Sequence, residues 1–122
     1  MNARSLGGCR VLIVEDETIL AMLLKDMLRE LGCDVVATAT QPSQAIAAIQ
    51  ALEIDVAILD INLGGQQSYG IAAELAARNL PFVFSTGYSR SVSGKEYPDK
   101  PVLRKPFQVE DLQAALSQAL NG

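Results

Sequence analysis

The sequence contains no histidine, and this absence removes several kinds of chemistry at once. Histidine-based metal sites, histidine-containing catalytic triads and phosphohistidine are excluded for this chain. The two cysteines, Cys9 and Cys33, are too few for a disulfide framework, and although each precedes a predicted strand we expect free thiols. Basic runs are also missing. With 14 acidic and 10 basic residues the net charge is −4, which argues against nucleic acid as a direct partner.

Long apolar runs are absent too. No stretch approaches the roughly 20 residues of a membrane span, so we expect no membrane association. The N-terminal segment has one positive charge and no apolar core, unlike a signal peptide, which predicts a cytoplasmic protein. The 122 residues, 49% of them hydrophobic, fit a single domain over 1–122 with its core at about 9–120 and no effector domain.

Residues 56–59, Val-Ala-Ile-Leu, are apolar at every position and run directly into Asp60. Such a run is typical of a strand buried on both faces, as in a parallel sheet. Comparable patterns predict five strands, at 9–14, 34–38, 55–59, 81–85 and 101–104. The chain after Asp60 is predicted to be a loop through Gly64, Gly65 and Gly70.

Helical periodicity alternates with these strands. Helices are predicted at 18–31, after Pro42, at about 71–78 and at 109–120, with Gly32 as the cap of the first. The apolar face of the first helix is predicted to contain Ile19, Met22, Leu23, Met27 and Leu31. Residues 89–100 lack an amphipathic pattern, so a fourth helix there is expected to be short or disordered.

The alternation of strands and helices predicts the fold class. A parallel sheet with right-handed crossovers and helices on both faces is a three-layer α/β structure. Five strand–helix units favour the flavodoxin-like (βα)5 doubly wound sheet with strand order 2-1-3-4-5. In that fold the carboxyl ends of the strands share one edge, where ligands bind.

Polar residues collect at this predicted edge. They are three carboxylates, a hydroxyl and an ammonium: Glu15, Asp16, Asp60, Thr86 and Lys105. Carboxylates gathered closely repel unless one stays protonated or a cation holds them, and oxygen ligands of this kind suit Mg²⁺. A carboxylate can also attack phosphorus, with a lysine and a hydroxyl neutralising the charge. Taken singly, each residue has an ordinary explanation as a helix-terminal acid, a turn hydroxyl or a surface lysine.

Four motifs in this order resemble the receiver domain of two-component response regulators. They are Val-Leu-Ile-Val-Glu-Asp-Glu at 11–17, Leu-Asp at 59–60, Ser-Thr-Gly at 85–87 and Leu-Arg-Lys-Pro-Phe at 103–107. The resemblance covers essentially the whole chain. It implies a protein that catalyses only its own Mg²⁺-dependent phosphorylation and dephosphorylation, and it leaves the downstream partner unknown.

The resemblance also implies residue roles. Asp60 would be the phosphoacceptor, charged by a sensor histidine kinase or a histidine phosphotransfer protein. The implied ligands of Mg²⁺ (or Mn²⁺) are Asp16 and Asp60, with Glu15 acting through water and Asn62 through its backbone carbonyl. Thr86 and Lys105 would contact the phosphoryl oxygens, and Thr86 would move as the switch.

Within receivers, residues 81–88 are similar to the Phe-Ala-Thr-Gly-aromatic signature of an atypical subgroup, with Ser85 in place of alanine. Members of that subgroup are often single-domain proteins of bacterial general stress-response phosphorelays. Val102 stands where most receivers carry a switch aromatic, and valine cannot swing as tyrosine does. Tyr88 is a candidate replacement, and a role in merely covering the edge of the site is the equal alternative.

Two other functions compete with a phosphorylated receiver. A small Mg²⁺-dependent phosphatase of the haloacid-dehalogenase type also uses an aspartate nucleophile, but it requires an Asp-x-Asp pair. Asp60 is instead followed by Ile61 and Asn62. A receiver used only as a non-phosphorylated docking surface is the second alternative, and the retained set of polar residues argues against it.

Overall fold

The computed structural model describes residues 6–63, 66–87 and 100–121. Strands and helices alternate along them as β1 (Arg10–Val14), α1 (Thr18–Glu30), β2 (Asp34–Ala39), α2 (Pro42–Ala51), β3 (Val56–Asp60), β4 (Asn62–Leu63), β5 (Gln66–Gln67), α3 (Tyr69–Ala77), β6 (Phe82–Thr86), β7 (Val102–Arg104) and α4 (Val109–Asn121). None of the helices in these ranges is long and apolar enough to cross a membrane.

The five longer strands form one parallel sheet in the order β2-β1-β3-β6-β7. When these five strands are numbered 1 to 5 in chain order, the order in the sheet is 2-1-3-4-5. The predicted flavodoxin-like α/β fold is therefore confirmed. The central strand β3 is buried at every position from Val56 to Asp60. The predicted short fourth helix falls at 89–100, and all of it except Lys100 lies outside the described residues.

Two hydrophobic cores lie on opposite faces of the sheet, because successive side chains of a strand point to opposite sides. The α2/α3 face carries Leu59 and Phe84 against Ile49 and Leu75. The α1/α4 face carries a second set, in which strand residues pack against both helices: Ile13, Ile58, Val83, Leu24, Leu28, Leu112 and Leu116. On β3, residues an even number of positions from Ile58 therefore face α1 and α4.

The predicted helix caps and free thiols agree with the structure. Gly32 has a φ of 83°, the left-handed conformation that ends α1, and glycine adopts it without steric cost. Cys9 and Cys33 are thiols that form no disulfide. Burial raises the pKa of Cys33, and a hydrogen bond with Cys9 opposes this effect.

The predicted apolar face of α1 is partly wrong. Three of its members are exposed: Ile19 is 74% exposed, Met22 58% and Leu23 48%. The buried residues of the helix are instead Ala21, Leu24 and Leu28. The helix therefore has two apolar stripes, and the one with the small Ala21 lies against the sheet. Met27 and Leu31 keep partial contact with that core.

A short hairpin follows the central strand where a plain loop was predicted. β4 and β5 pair antiparallel, with Asn62 opposite Gln67. Ser68 closes the hairpin, because its backbone N–H donates to the carbonyl of Ile61 at 3.0 Å and its hydroxyl donates to the same oxygen at 3.2 Å. These bonds fix the chain directly beyond Asp60.

The two stripes of α1 are expected to respond differently to mutation. Leu28→Ala should lower the free energy of unfolding by about 2–5 kcal/mol, because it leaves a cavity in the core. Met22→Ala, on the exposed stripe, should change it by less than about 0.5 kcal/mol. Urea denaturation of both variants measures the difference, and equal losses would contradict the assignment of the buried stripe.

Candidate functional site

The polar residues predicted at the strand ends do meet at one edge of the sheet. Glu15 follows β1, Asp60 ends β3, Thr86 ends β6 and Lys105 follows β7. Backbone hydrogen bonds continue past the strands and hold these ends together: the N–H of Glu15 donates to Ala39, that of Ile61 to Ser85 and that of Lys105 to Thr86, at 3.0, 3.0 and 2.8 Å. The site is thus built on the rigid part of the fold.

Three carboxylates form a compact cluster at this edge. One oxygen from each of Glu15, Asp16 and Asp60 lies within 4.8 Å of the others. Glu15 and Asp60 are buried, and Asp16 is half-buried. Repulsion among such close acids is relieved by a cation or by protonation of one of them, and carboxylate oxygens are the ligands of hard divalent ions. The donor set therefore fits Mg²⁺.

Lys105 neutralises part of this charge. Its ammonium donates to Glu15 Oε1 at 3.0 Å and to Asp60 Oδ2 at 3.4 Å. The lysine side chain is 16% exposed, whereas those of Glu15 and Asp60 are 1% and 6% exposed. Because the pairs are shielded from water, their attraction is much stronger than that of a surface ion pair.

The pKa shifts follow from this arrangement. Burial raises the pKa of Glu15, the hydrogen bond from Lys105 opposes the rise, and the charge of Asp60 adds to it. For Lys105, burial lowers the pKa, but the hydrogen bond to Glu15 and the charge of Asp60 outweigh burial and leave the pKa above its ordinary value. The ammonium therefore stays charged at neutral pH.

The remaining predicted residues lie around this cluster. Thr86 is buried at the end of β6, one residue beyond Ser85, which is directly opposite Asp60 in the sheet. Asn62 begins the hairpin two residues after Asp60. Val102 is partly buried against the α2/α3 core. Tyr88, the candidate switch aromatic, lies outside the described residues.

One residue of the site was singled out in the sequence only as a departure from a signature. Ser85 is 1% exposed, and its hydroxyl has no hydrogen-bond partner among the described residues. The sequence feature that pointed to this residue was the serine in place of the alanine of the Phe-Ala-Thr-Gly-aromatic signature. Its position beside the acid depends on the register of β3 and β6, which the sequence pattern does not supply.

The comparison with protein families decides the class. The response regulator receiver domain model matches residues 11–117. The chain belongs to this family. The match favours the receiver over the haloacid-dehalogenase phosphatase.

Among solved structures, SdrG from Sphingomonas melonis Fr1 is 43% identical to this receiver, with a TM-score of 0.84 over 93% of this chain and 97% of SdrG. A BeF3-activated conformation of SdrG is 40% identical, with a TM-score of 0.80 over 98% of this chain and 99% of that one.

Curated relatives are longer proteins. The transcriptional regulatory protein PdtaR of Mycobacterium tuberculosis is 30% identical over 92% of this chain and 57% of its own length. The phyllosphere-induced regulator PhyR of Methylorubrum extorquens is 31% identical over 90% of this chain and 43% of its own length. A solved PhyR is described as a stress response regulator. The receiver thus spans about half the length of the curated relatives that it matches.

Removal of the lysine should make stability depend on pH. Without the ammonium of Lys105, the buried Glu15 and Asp60 repel unscreened, so the pKa of Glu15 rises further above its unfolded value. Stability is then retained at low pH and lost as pH rises through that pKa. Lys105→Met should lower the free energy of unfolding by roughly 2–3 kcal/mol at pH 8 and by less at pH 5. The loss at pH 8 is smaller than that for a fully buried pair, because the lysine is partly exposed.

Lys100→Met is the matched control, because that ammonium lies 5.0 Å from the ring centroid of Phe82 and bonds no carboxylate of the site. Urea denaturation of both variants at the two pH values measures the effect. Equal losses at pH 5 and pH 8 for Lys105→Met would show that the pair carries no such coupling.

Proposed function

We propose that this receiver accepts a phosphoryl group on Asp60 from the phosphohistidine of a sensor histidine kinase or a phosphotransfer protein. The observation that carries the proposal is the contact of the Asp60 carboxylate with Lys105, 3.4 Å away, beside two further carboxylates. Since this chain contains no histidine, the phosphohistidine must belong to another molecule.

The proposed transfer needs a nucleophile, charge neutralisation and a fixed geometry. A carboxylate oxygen of Asp60 attacks the phosphorus, the new O–P bond forms, and the N–P bond to the donor imidazole breaks. Lys105 and the hydroxyl of Thr86 would contact the phosphoryl oxygens and balance their charge. Asp60 lies on the central strand, so its position is fixed before the donor arrives.

The site would hold Mg²⁺ through Asp16 and Asp60, with Glu15 acting through water and Asn62 through its backbone carbonyl. When bound, the ion supplies positive charge for the phosphoryl oxygens and relieves the repulsion among the acids. The same cluster argues that the protein is a signalling acceptor whose only chemistry is its own phosphorylation and dephosphorylation.

Intact-mass measurement tests the assignment of Asp60. Wild-type protein treated with acetyl phosphate and Mg²⁺ should gain one phosphoryl increment, and Asp60→Asn should gain none. Omission of Mg²⁺ should reduce the increment strongly. A folded wild type that gains no mass would favour the docking receiver, and an increment retained in Asp60→Asn would place the acceptor elsewhere.

We further propose that the phosphodonor protein docks on the exposed stripe of α1, defined by Ile19, Met22 and Leu23. These three side chains are large, apolar and mostly exposed. A small cavity of about 70 Å³ adjoins the stripe, and its wall includes Leu23, Phe107 and both Glu15 and Lys105 of the site. A donor helix whose apolar face packs on this stripe would place its phosphohistidine near the edge of the sheet that holds Asp60.

Phosphorylation by a kinase and phosphorylation by acetyl phosphate distinguish a docking effect from an effect on the chemistry. Ile19→Ser combined with Met22→Ser should slow phosphotransfer from a kinase by about tenfold or more, because two buried apolar contacts are lost. Phosphorylation by acetyl phosphate should stay unchanged. Leu52→Ser is the control, since Leu52 is 43% exposed at the far end of α2. The kinase used is the one that phosphorylates wild type fastest in a panel, and equal rates for all three proteins would refute the docking site.

The biological setting we propose is a bacterial general stress response. The likeness to SdrG and PhyR and the Phe-Val-Phe-Ser-Thr-Gly-Tyr segment at 82–88 support it. A stand-alone cytoplasmic role and a switch through Tyr88 in place of Val102 remain predictions of the sequence.

A further inference from the structure

The buried hydroxyl of Ser85 is unusual in this structure. Among residues 6–63, 66–87 and 100–121, its oxygen is the one buried side-chain polar atom that has no hydrogen-bond partner. A hydroxyl buried without a partner is unfavourable, and alanine would avoid the cost at the same position. The hydroxyl of Ser85 would contribute favourably only in a state of the protein in which it is hydrogen-bonded.

The sheet register identifies the partner. Ser85 is directly opposite Asp60 on the neighbouring strand, and the N–H of Ile61 donates to the Ser85 carbonyl at 3.0 Å. Asp60 lies two residues after Ile58, and Ser85 lies two residues after Val83. Because Ile58 and Val83 lie on the α1/α4 face of the sheet, Asp60 and Ser85 are on that face too. Side chains at such positions of two adjacent strands lie on the same face of the sheet, and the strands are about 4.8 Å apart. The carboxyl group of Asp60 is therefore the acceptor next to this hydroxyl.

In the unphosphorylated protein, Lys105 donates to Asp60 Oδ2. A phosphoryl group on Asp60 adds negative charge that attracts the ammonium toward the phosphoryl oxygens. We infer that the Ser85 hydroxyl then donates a hydrogen bond to the Asp60 carboxyl group and promotes loss of the phosphoryl group. This inference rests on the proposed function, because it requires that Asp60 is the phosphoacceptor.

The chemistry gives the direction of the effect. In hydrolysis, water attacks the phosphorus, the bond between phosphorus and the Asp60 oxygen breaks, and its electron pair returns to the carboxylate. The attacking water gives one proton to solvent, and the phosphoryl group leaves as hydrogen phosphate. A donor on the carboxyl group stabilises the negative charge that develops there, so it speeds this step. Ser85 thereby shortens the lifetime of the phosphorylated form.

The lifetime of the acyl phosphate tests the inference. Wild type, Ser85→Ala and Ser85→Thr are phosphorylated with acetyl phosphate and Mg²⁺, freed of donor, and followed by intact mass over time. Ser85→Ala should keep its phosphoryl group about fivefold longer, the effect of one hydrogen bond of ordinary strength. Ser85→Thr retains the hydroxyl and should return the lifetime toward that of wild type.

Thermal melting separates this role from a structural one. Ser85→Ala removes an unpaired hydroxyl, so it should melt at or above the wild-type temperature, whereas Ser68→Ala removes a bonded hydroxyl and should melt lower. An unchanged lifetime in a phosphorylated, folded Ser85→Ala overturns the inference and leaves the proposed function standing. A folded wild type that takes up no phosphoryl group overturns both.

Discussion

The site depends on one ammonium shared between two buried carboxylates. Lys105 bonds Glu15 and Asp60, which lie at the ends of two separate strands that both precede it in the chain. Without the lysine, three acids would crowd one edge of the sheet with only water and ions to separate them. The lysine thus allows the acids to be held close together, and it neutralises part of the charge of Asp60.

The sheet makes this arrangement reproducible. β3 lies between β1 and β6, and its side chains belong alternately to two separate cores. Asp60 is therefore fixed by both neighbouring strands and by packing on both faces. Segments that leave the edge, such as the hairpin after Ile61, are joined to the sheet by a few hydrogen bonds. The backbone of those segments is therefore less constrained than that of the central strand.

Sequence patterns predicted the strands well because β1, β3 and β6 each contain an unbroken run of buried apolar residues, at 11–14, 56–59 and 82–84. They also brought Glu15, Asp60 and Lys105 to one edge, since parallel topology fixes which strand ends meet. The buried stripe of α1 was predicted less well, because residues 19–24 are apolar on two sides of the helix and only contact with the sheet distinguishes them. The hairpin at Asn62 has strands of two residues each, too short for a period to appear.

The two apolar stripes of α1 differ in whether they contribute to the hydrophobic core. Leu24 and Leu28 belong to the core, while Ile19 and Met22 make no contribution to it. Substitutions on the outer stripe are thus free to accumulate during evolution without loss of the fold or of the carboxylate cluster. Gene duplicates could diverge in their choice of signalling partner through a few outward positions, and cross-talk between paralogous pathways could be suppressed without any alteration of the chemistry.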